Sequence, residues 1–149
     1  MGKKRIAVKS EEELIKEAEK LTKIGKEIKL KSPQKIIEGK IYIFSSYNNT
    51  IITITDNKGN VIYWTSAGKV GFSGTKKGTP YAASRAAEEA AEAAKQIGLE
   101  KVEVLIKGIG SGRESALRTL GTKGLNIISI KDITPIPHDG PRPPKVRRV

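Results

Sequence analysis

The sequence predicts an α/β protein built on a mixed β-sheet, and three observations lead there. Residues 39–65 hold three short runs rich in β-branched and aromatic residues, separated by polar turn formers. From Thr79 onward, helical and strand periodicities alternate, giving the order βββαβαβ. Between the fourth strand and the second helix lies Gly108-Ile-Gly-Ser-Gly-Arg113, a glycine-rich strand-to-helix turn.

The strands come first. Ile41, Tyr42, Ile43 and Phe44 are apolar on both faces, the pattern of a strand covered on two sides. Ser45-Ser-Tyr-Asn-Asn-Thr50 makes a polar turn into Ile51-Ile-Thr-Ile-Thr55. Asp56-Asn-Lys-Gly-Asn60 has hairpin chemistry and leads to Val61-Ile-Tyr-Trp-Thr65. Short turns between three strands predict an antiparallel meander.

Residues 66–79 follow as a long loop with four glycines (Gly68, Gly71, Gly74, Gly78) and no apolar period. Its Lys69, Lys76 and Lys77 suit a flexible binder of phosphate backbone, and a solvated connector is the plainer alternative. Thr79-Pro80 then starts a helix, with threonine as N-cap and proline in the first turn. Ala82, Ala86, Ala90, Ala93 and Ile97 form its inner spine, and Gly98 ends it. Arg85, Glu88, Glu89, Glu92 and Lys95 read as its solvated face rather than as catalytic carboxylates.

Val102, Val104 and Ile106 share one face of the fourth strand. Ser111 precedes Glu114 by capping-box spacing, opening a helix with Ala116, Leu117 and Leu120 that stops near Gly121. Residues 126–133 make the last strand. A parallel β-α-β-α-β portion beside an antiparallel hairpin places helices on the sheet's faces and gathers anions at the carboxyl ends of the parallel strands.

The glycine turn is the first candidate site. Gly108, Gly110 and Gly112 free the backbone for positive φ and close approach, while a helix start, Arg113 and Arg118 supply positive charge. The dinucleotide pattern G-x-G-x-x-G fails because residue 113 is Arg, and the P-loop pattern fails there too. A plain tight turn is the alternative, and Arg118 has Glu114 as a helical partner one turn back.

Composition narrows the chemistry. A net charge of +12 and a pI near 9.9 favour polyanionic partners. With 5% aromatic residues, a stacking platform is not expected to be the main binding device. The absence of cysteine removes thiolate zinc sites and thiol catalysis, and one histidine leaves no triad or His-rich metal site. No apolar run approaches a membrane span, and no signal-peptide core follows the basic start. The expectations are therefore no enzyme activity, no cofactor, no bound metal and no membrane.

Both ends differ from the middle. Residues 1–38 carry 11 basic and 7 acidic residues, with Ser10 to Glu13 as a capping box before Leu14, Ile15, Ala18, Leu21 and Ile24 at helical spacing. This amphipathic helix is expected to dock on the core or a neighbour, with direct nucleic-acid binding as the alternative. Residues 39–134 form the α/β core, and 135–149 form a tail with five prolines. Polyproline-like extension gives that tail a reach on the order of 45 Å. Arg142, Lys145, Arg147 and Arg148 are spaced along it, which suits threading between RNA helices.

Several motifs in a fixed order carry a family resemblance. They are Asn48-Asn-Thr50 leading into Asp56, Trp64-Thr-Ser-Ala-Gly68, Gly71-Phe72, Thr79-Pro-Tyr-Ala-Ala83, the Gly108–Arg118 turn, Asp132-Ile-Thr-Pro-Ile-Pro-His138 and Arg142-Pro-Pro-Lys145. Over residues 39–149 the chain resembles the universal small-subunit ribosomal protein family S-eleven, which sits on the platform of the small ribosomal subunit. The resemblance implies a three-layer, ribonuclease-H-like α/β unit with a mixed five-stranded sheet. It implies binding of small-subunit rRNA, neighbouring platform proteins as partners, and proximity to mRNA upstream of the decoding centre. No homo-oligomer is expected, and the location implied is the ribosome in a bacterial-style cytoplasm, with an organelle as the alternative.

Asn48, Asn49 and Thr50 are expected to contact RNA or shape a loop that does, because short amides and hydroxyls at a strand turn can bond sugar and phosphate groups, with a plain Asx turn as the alternative. On the resemblance, Phe72 and His138 join the basic residues as expected RNA contacts. The family's usual bacterial ending differs at three places. Here Asp139 stands for Asn, Pro141 for Cys and Val146 for Arg. Asp139 brings a negative charge where RNA is expected close by.

Overall fold

The computed structural model describes residues 36–142, 144 and 145. All belong to Lys31–Val149, the second of two units into which the chain divides. The expected helix over residues 10–25 lies outside the described residues.

Five strands form one sheet in the order β3-β2-β1-β4-β5. They are β1 (Glu38–Ser45), β2 (Thr50–Asp56), β3 (Val61–Ser66), β4 (Lys101–Gly108) and β5 (Asn126–Asp132). β1 pairs antiparallel with β2, and β2 with β3, as the short turns require. β1–β4 and β4–β5 are parallel, each reached through a helix. The helices are α1 (Pro80–Ile97) and α2 (Gly112–Thr122). This is the α/β class with the mixed five-stranded sheet that the element order predicts.

Strand alternation explains the core. Ile54, Ile41 and Val104 stand in one cross-strand row, and Ile52, Ile43 and Ile106 in the next. All six are buried, each worth about 1.5–3 kcal/mol relative to exposure. α1 covers β2 and β3, α2 covers β1 and β4, and the two helices pack against each other. α1 is thus enclosed on two sides. Beyond its expected spine it also buries Ala83, Ala87, Ala91 and Ala94, because only alanine-sized side chains let it approach both neighbours.

Both described helices lie on that one face. The expectation that β1 is covered on two sides is corrected: Phe44 is 42% exposed on the opposite face, where Trp64 of β3 is 52% exposed. Glu103 lies on that same exposed face. It pairs with Lys40 at 3.9 Å and Lys131 at 2.6 Å from the flanking strands, and the Lys131 hydrogen bond lowers its pKa.

Candidate nucleic-acid interface

The topology brings the candidate residues to one end of the sheet. β1, β3, β4 and β5 run in the same direction, so their carboxyl ends lie together with the start of β2 and the N-termini of both helices. The turn over residues 46–49, the loop over 66–79, the glycine turn and the start of the tail therefore share one edge. Arg118, in the second turn of α2, stands further back.

The glycine turn presses against the β1–β2 turn. Gly108 has a φ of 104°, and the Gly110 N–H donates to the Ser45 carbonyl at 3.0 Å. A Cβ on Gly110 would lie 2.2 Å from the Ser46 carbonyl oxygen, and one on Gly112 would lie 2.4 Å from Thr50 Oγ1. The glycines are required by close packing. The Gly108 N–H is also occupied, donating to Thr134 Oγ1 at 3.1 Å. Anion binding by these N–H groups therefore has less support than the sequence pattern gave it.

The predicted capping box does not form. Ser111 is already helical at φ −67°, ψ −14°, and its hydroxyl donates 2.8 Å to the Gly78 carbonyl instead. That bond ties the glycine turn to the end of the long loop. The cap expected at the other helix is present: Thr79 Oγ1 accepts from the Ala82 N–H at 3.3 Å, and Gly98 takes the left-handed conformation at the far end.

Arg113 is held on two sides. One guanidinium nitrogen donates to the Gly108 carbonyl at 2.5 Å, and another pairs with the Asp132 carboxylate. Asp132 also accepts from the Thr134 hydroxyl at 2.6 Å and the Thr134 N–H at 2.9 Å. These Thr134 bonds, with Arg113 after them, hold its pKa at about 2. Arg118 pairs with Glu114 along the exposed side of α2.

The long loop is built rather than featureless. Ala67 is fully buried, and its N–H donates to the Thr50 carbonyl at 3.0 Å. Phe72 donates its N–H back to the Ala67 carbonyl at 3.1 Å, and Gly74–Gly78 forms a 3-10 turn. Lys76 is exposed and Lys77 half-buried. Lys69 turns inward: its Nζ lies 3.0 Å from Glu89, 2.8 Å from the Tyr63 hydroxyl and 4.3 Å from the Tyr63 ring centroid.

Glu89 is therefore not part of a solvated face. Tyr63 and Thr65 donate their hydroxyls to it at 2.5 and 2.9 Å. Burial raises its pKa, but the bonds from Tyr63, Lys69 and Thr65 outweigh that and hold it below the usual value. Burial, and then Glu89, pushes the Tyr63 hydroxyl well above its own.

In the β1–β2 turn, Asn48 is exposed and Asn49 half-buried, with its Oδ1 lacking a partner. Thr50 is fully buried, its hydroxyl 3.3 Å from Ser45 Oγ, so it shapes the turn. His138, Arg142 and Lys145 are exposed on the tail, and Arg147 and Arg148 lie outside the described residues. Asp139 takes a φ of 53°, a left-handed conformation that asparagine and aspartate tolerate best among residues with a side chain. Sequence reasoning missed Asp132 as the partner of Arg113, and the position of Asp132 at the end of a parallel strand was the available signal.

The ribosomal protein S11 family model matches residues 39–148. The chain belongs to the ribosomal protein S11 family. Two relatives, both from strains of Treponema pallidum, one of them strain Nichols, are named small ribosomal subunit protein uS11. Each is 54% identical over 121 residues, covering 81% of this chain and 96% of its own length. The S11 match spans both helices, every loop at the carboxyl edge and all of the sheet but Glu38. Among the described residues, no helix is long and apolar enough to cross a membrane, and no group of three or more His, Asp or Glu residues could hold a metal ion.

Proposed function

We propose that this S11-family chain is a structural constituent of the small ribosomal subunit, without catalytic activity, and that it binds small-subunit rRNA through the carboxyl edge of its sheet. The observation that carries this reading is the convergence there of Lys76, Lys77 and Arg113, in a chain of net charge +12 whose exposed tail, carrying Arg142 and Lys145, leaves from the same edge. Cations spread over separate loops of a rigid edge suit bridging between RNA helices, because phosphates on different helices meet different loops. The tail extends that reach.

The position is the platform, beside neighbouring platform proteins and close to mRNA upstream of the decoding centre. The name of the Treponema relatives supports the subunit, and the exposed tail supports a threaded contact. The test is binding of the full chain to a platform fragment of small-subunit rRNA across a salt series, with co-sedimentation on intact small subunits. A linear fall of log affinity with log salt and retention on subunits at high salt are expected. Release at moderate salt without RNA preference would favour a free nucleic-acid chaperone.

A further inference from the structure

The carboxyl edge carries exposed aromatic rings as well as cations. Tyr47, in the β1–β2 turn, is 81% exposed, and Tyr81, in the first turn of α1, is 66% exposed. Neither contributes to the core. Phe72 meets Tyr81 edge-on, with ring centroids 5.8 Å apart and planes at 85°, so the long loop braces that ring. The two tyrosines flank a tight contact: a Cβ on Gly78 would stand 2.3 Å from the Tyr47 carbonyl oxygen. Lys76 and Lys77 sit in the 3-10 turn that leads into this contact.

We propose that Tyr47 and Tyr81 are stacking faces for unpaired RNA bases, with Lys76 and Lys77 holding the adjoining phosphates. This deepens the RNA-binding reading and rests on it. An aromatic face contributes most against a base that is out of a duplex, because paired bases are already stacked on each other. RNA suits the patch better than an apolar protein surface because lysines adjoin it, while Asp132 at the same edge is already matched by Arg113. The low aromatic content argued against a stacking device, but composition does not register that Tyr47, Phe72 and Tyr81 gather at one end.

The experiment measures the full chain on two RNAs of equal length, a hairpin with an unpaired loop and a complete duplex. Wild type should prefer the hairpin. Tyr47→Ala with Tyr81→Ala should weaken hairpin binding by roughly 5- to 150-fold per base lost from stacking, with duplex binding unchanged. The slope of log affinity against log salt should stay the same, because the rings carry no charge. Phe at both positions should retain the affinity, and Leu, which keeps apolar area without a π-face, should not. Undiminished hairpin binding in the alanine variant overturns the proposal while leaving the RNA reading standing. Full binding by the leucine variant, or a defect confined to contact with another subunit protein, also overturns it. Failure of wild type to bind either RNA removes the RNA reading, and the stacking proposal with it.

Discussion

Lys69 Nζ lies 3.0 Å from the Glu89 carboxylate, joining the long loop after β3 to the middle of α1. The pair does not stand alone. Tyr63 and Thr65 donate to the same carboxylate, and Lys69 also donates to the Trp64 carbonyl at 3.3 Å. A loop rich in glycine needs such an anchor, since glycine gives up the most backbone freedom on ordering. Lys69 thus serves the loop's shape, and its charge is balanced before any RNA arrives.

Glu89→Ala should destabilise the RNA-free protein by about 2 kcal/mol in urea denaturation, because three donors lose a charged acceptor. The pH dependence has a fixed sign. Glu89 is held below the ordinary 4.5, so its contribution is complete above that value and is lost as pH falls through its lower folded value. Wild type should therefore lose more stability than Glu89→Gln as pH is lowered from 5 toward 3. Parallel loss in both proteins would mean that the carboxylate's bonds contribute nothing to folding.

Lysines of the same loop should separate in a salt titration on RNA. Lys76→Ala and Lys77→Ala should each reduce the slope of log affinity against log salt by about 0.7–0.9. Lys69→Ala should leave the slope unchanged and lower the melting temperature instead. A slope change in Lys69→Ala equal to the other two would show that RNA draws Lys69 away from Glu89.

Two glycine substitutions contrast the packed edge with the open far end of α2. Gly110→Ala places a methyl 2.2 Å from the Ser46 carbonyl and 2.4 Å from Ser45 Oγ, and should cost more than about 2 kcal/mol. Gly121→Ala, inside α2 with nothing within 4 Å of the new methyl, should instead stabilise by about 0.5 kcal/mol. Urea unfolding of both variants against wild type checks the opposite signs.

Strand runs, helix starts and the mixed sheet were legible because periodicity and turn chemistry are local. Thr79-Pro80 and Gly98 bound α1 in the structure as they do in the sequence. What was not legible depends on which elements become neighbours. Glu89 follows the pattern of an exposed helix residue, yet β3 places Tyr63 and Thr65 against it. Ser111 has capping-box spacing, but Gly78 lies within reach of its hydroxyl and captures it. The cationic candidates stand out by charge and the turn by its glycines, and neither says anything of pairing. Hence the sequence shows Lys69 and Arg113 only as cations, and their partners Glu89 and Asp132 emerge with the fold.

The pairing of Arg113 with Asp132 sets the last prediction. Asp132 lies at the end of β5 and Arg113 at the start of α2, so the pair spans the β4–α2–β5 crossover at the carboxyl edge. Arg113 has donors beyond the two used for Gly108 and Asp132, and its planar fork can still meet a phosphate. The neighbouring carboxylate nonetheless reduces the field that a phosphate meets. Asp132→Asn keeps an acceptor for Thr134 while removing that charge, so it should tighten RNA binding and steepen the salt slope by about 0.7–0.9. Arg113→Ala should weaken binding, flatten the slope and let the Asp132 pKa rise from about 2 toward 3.8, stopping short because the Thr134 bonds remain. The stability that Asp132 contributes is complete above the ordinary 3.8 and is lost as pH falls through about 2, so Asp132→Asn should remove that acid-side dependence. Arg118→Ala, exposed and paired with Glu114, should change the slope least of the three. The checks are salt titrations of the three variants and carboxyl NMR titration of Arg113→Ala. A slope indifferent to both Asp132→Asn and Arg113→Ala would place Arg113 in the fold alone, clamping the crossover and touching no RNA.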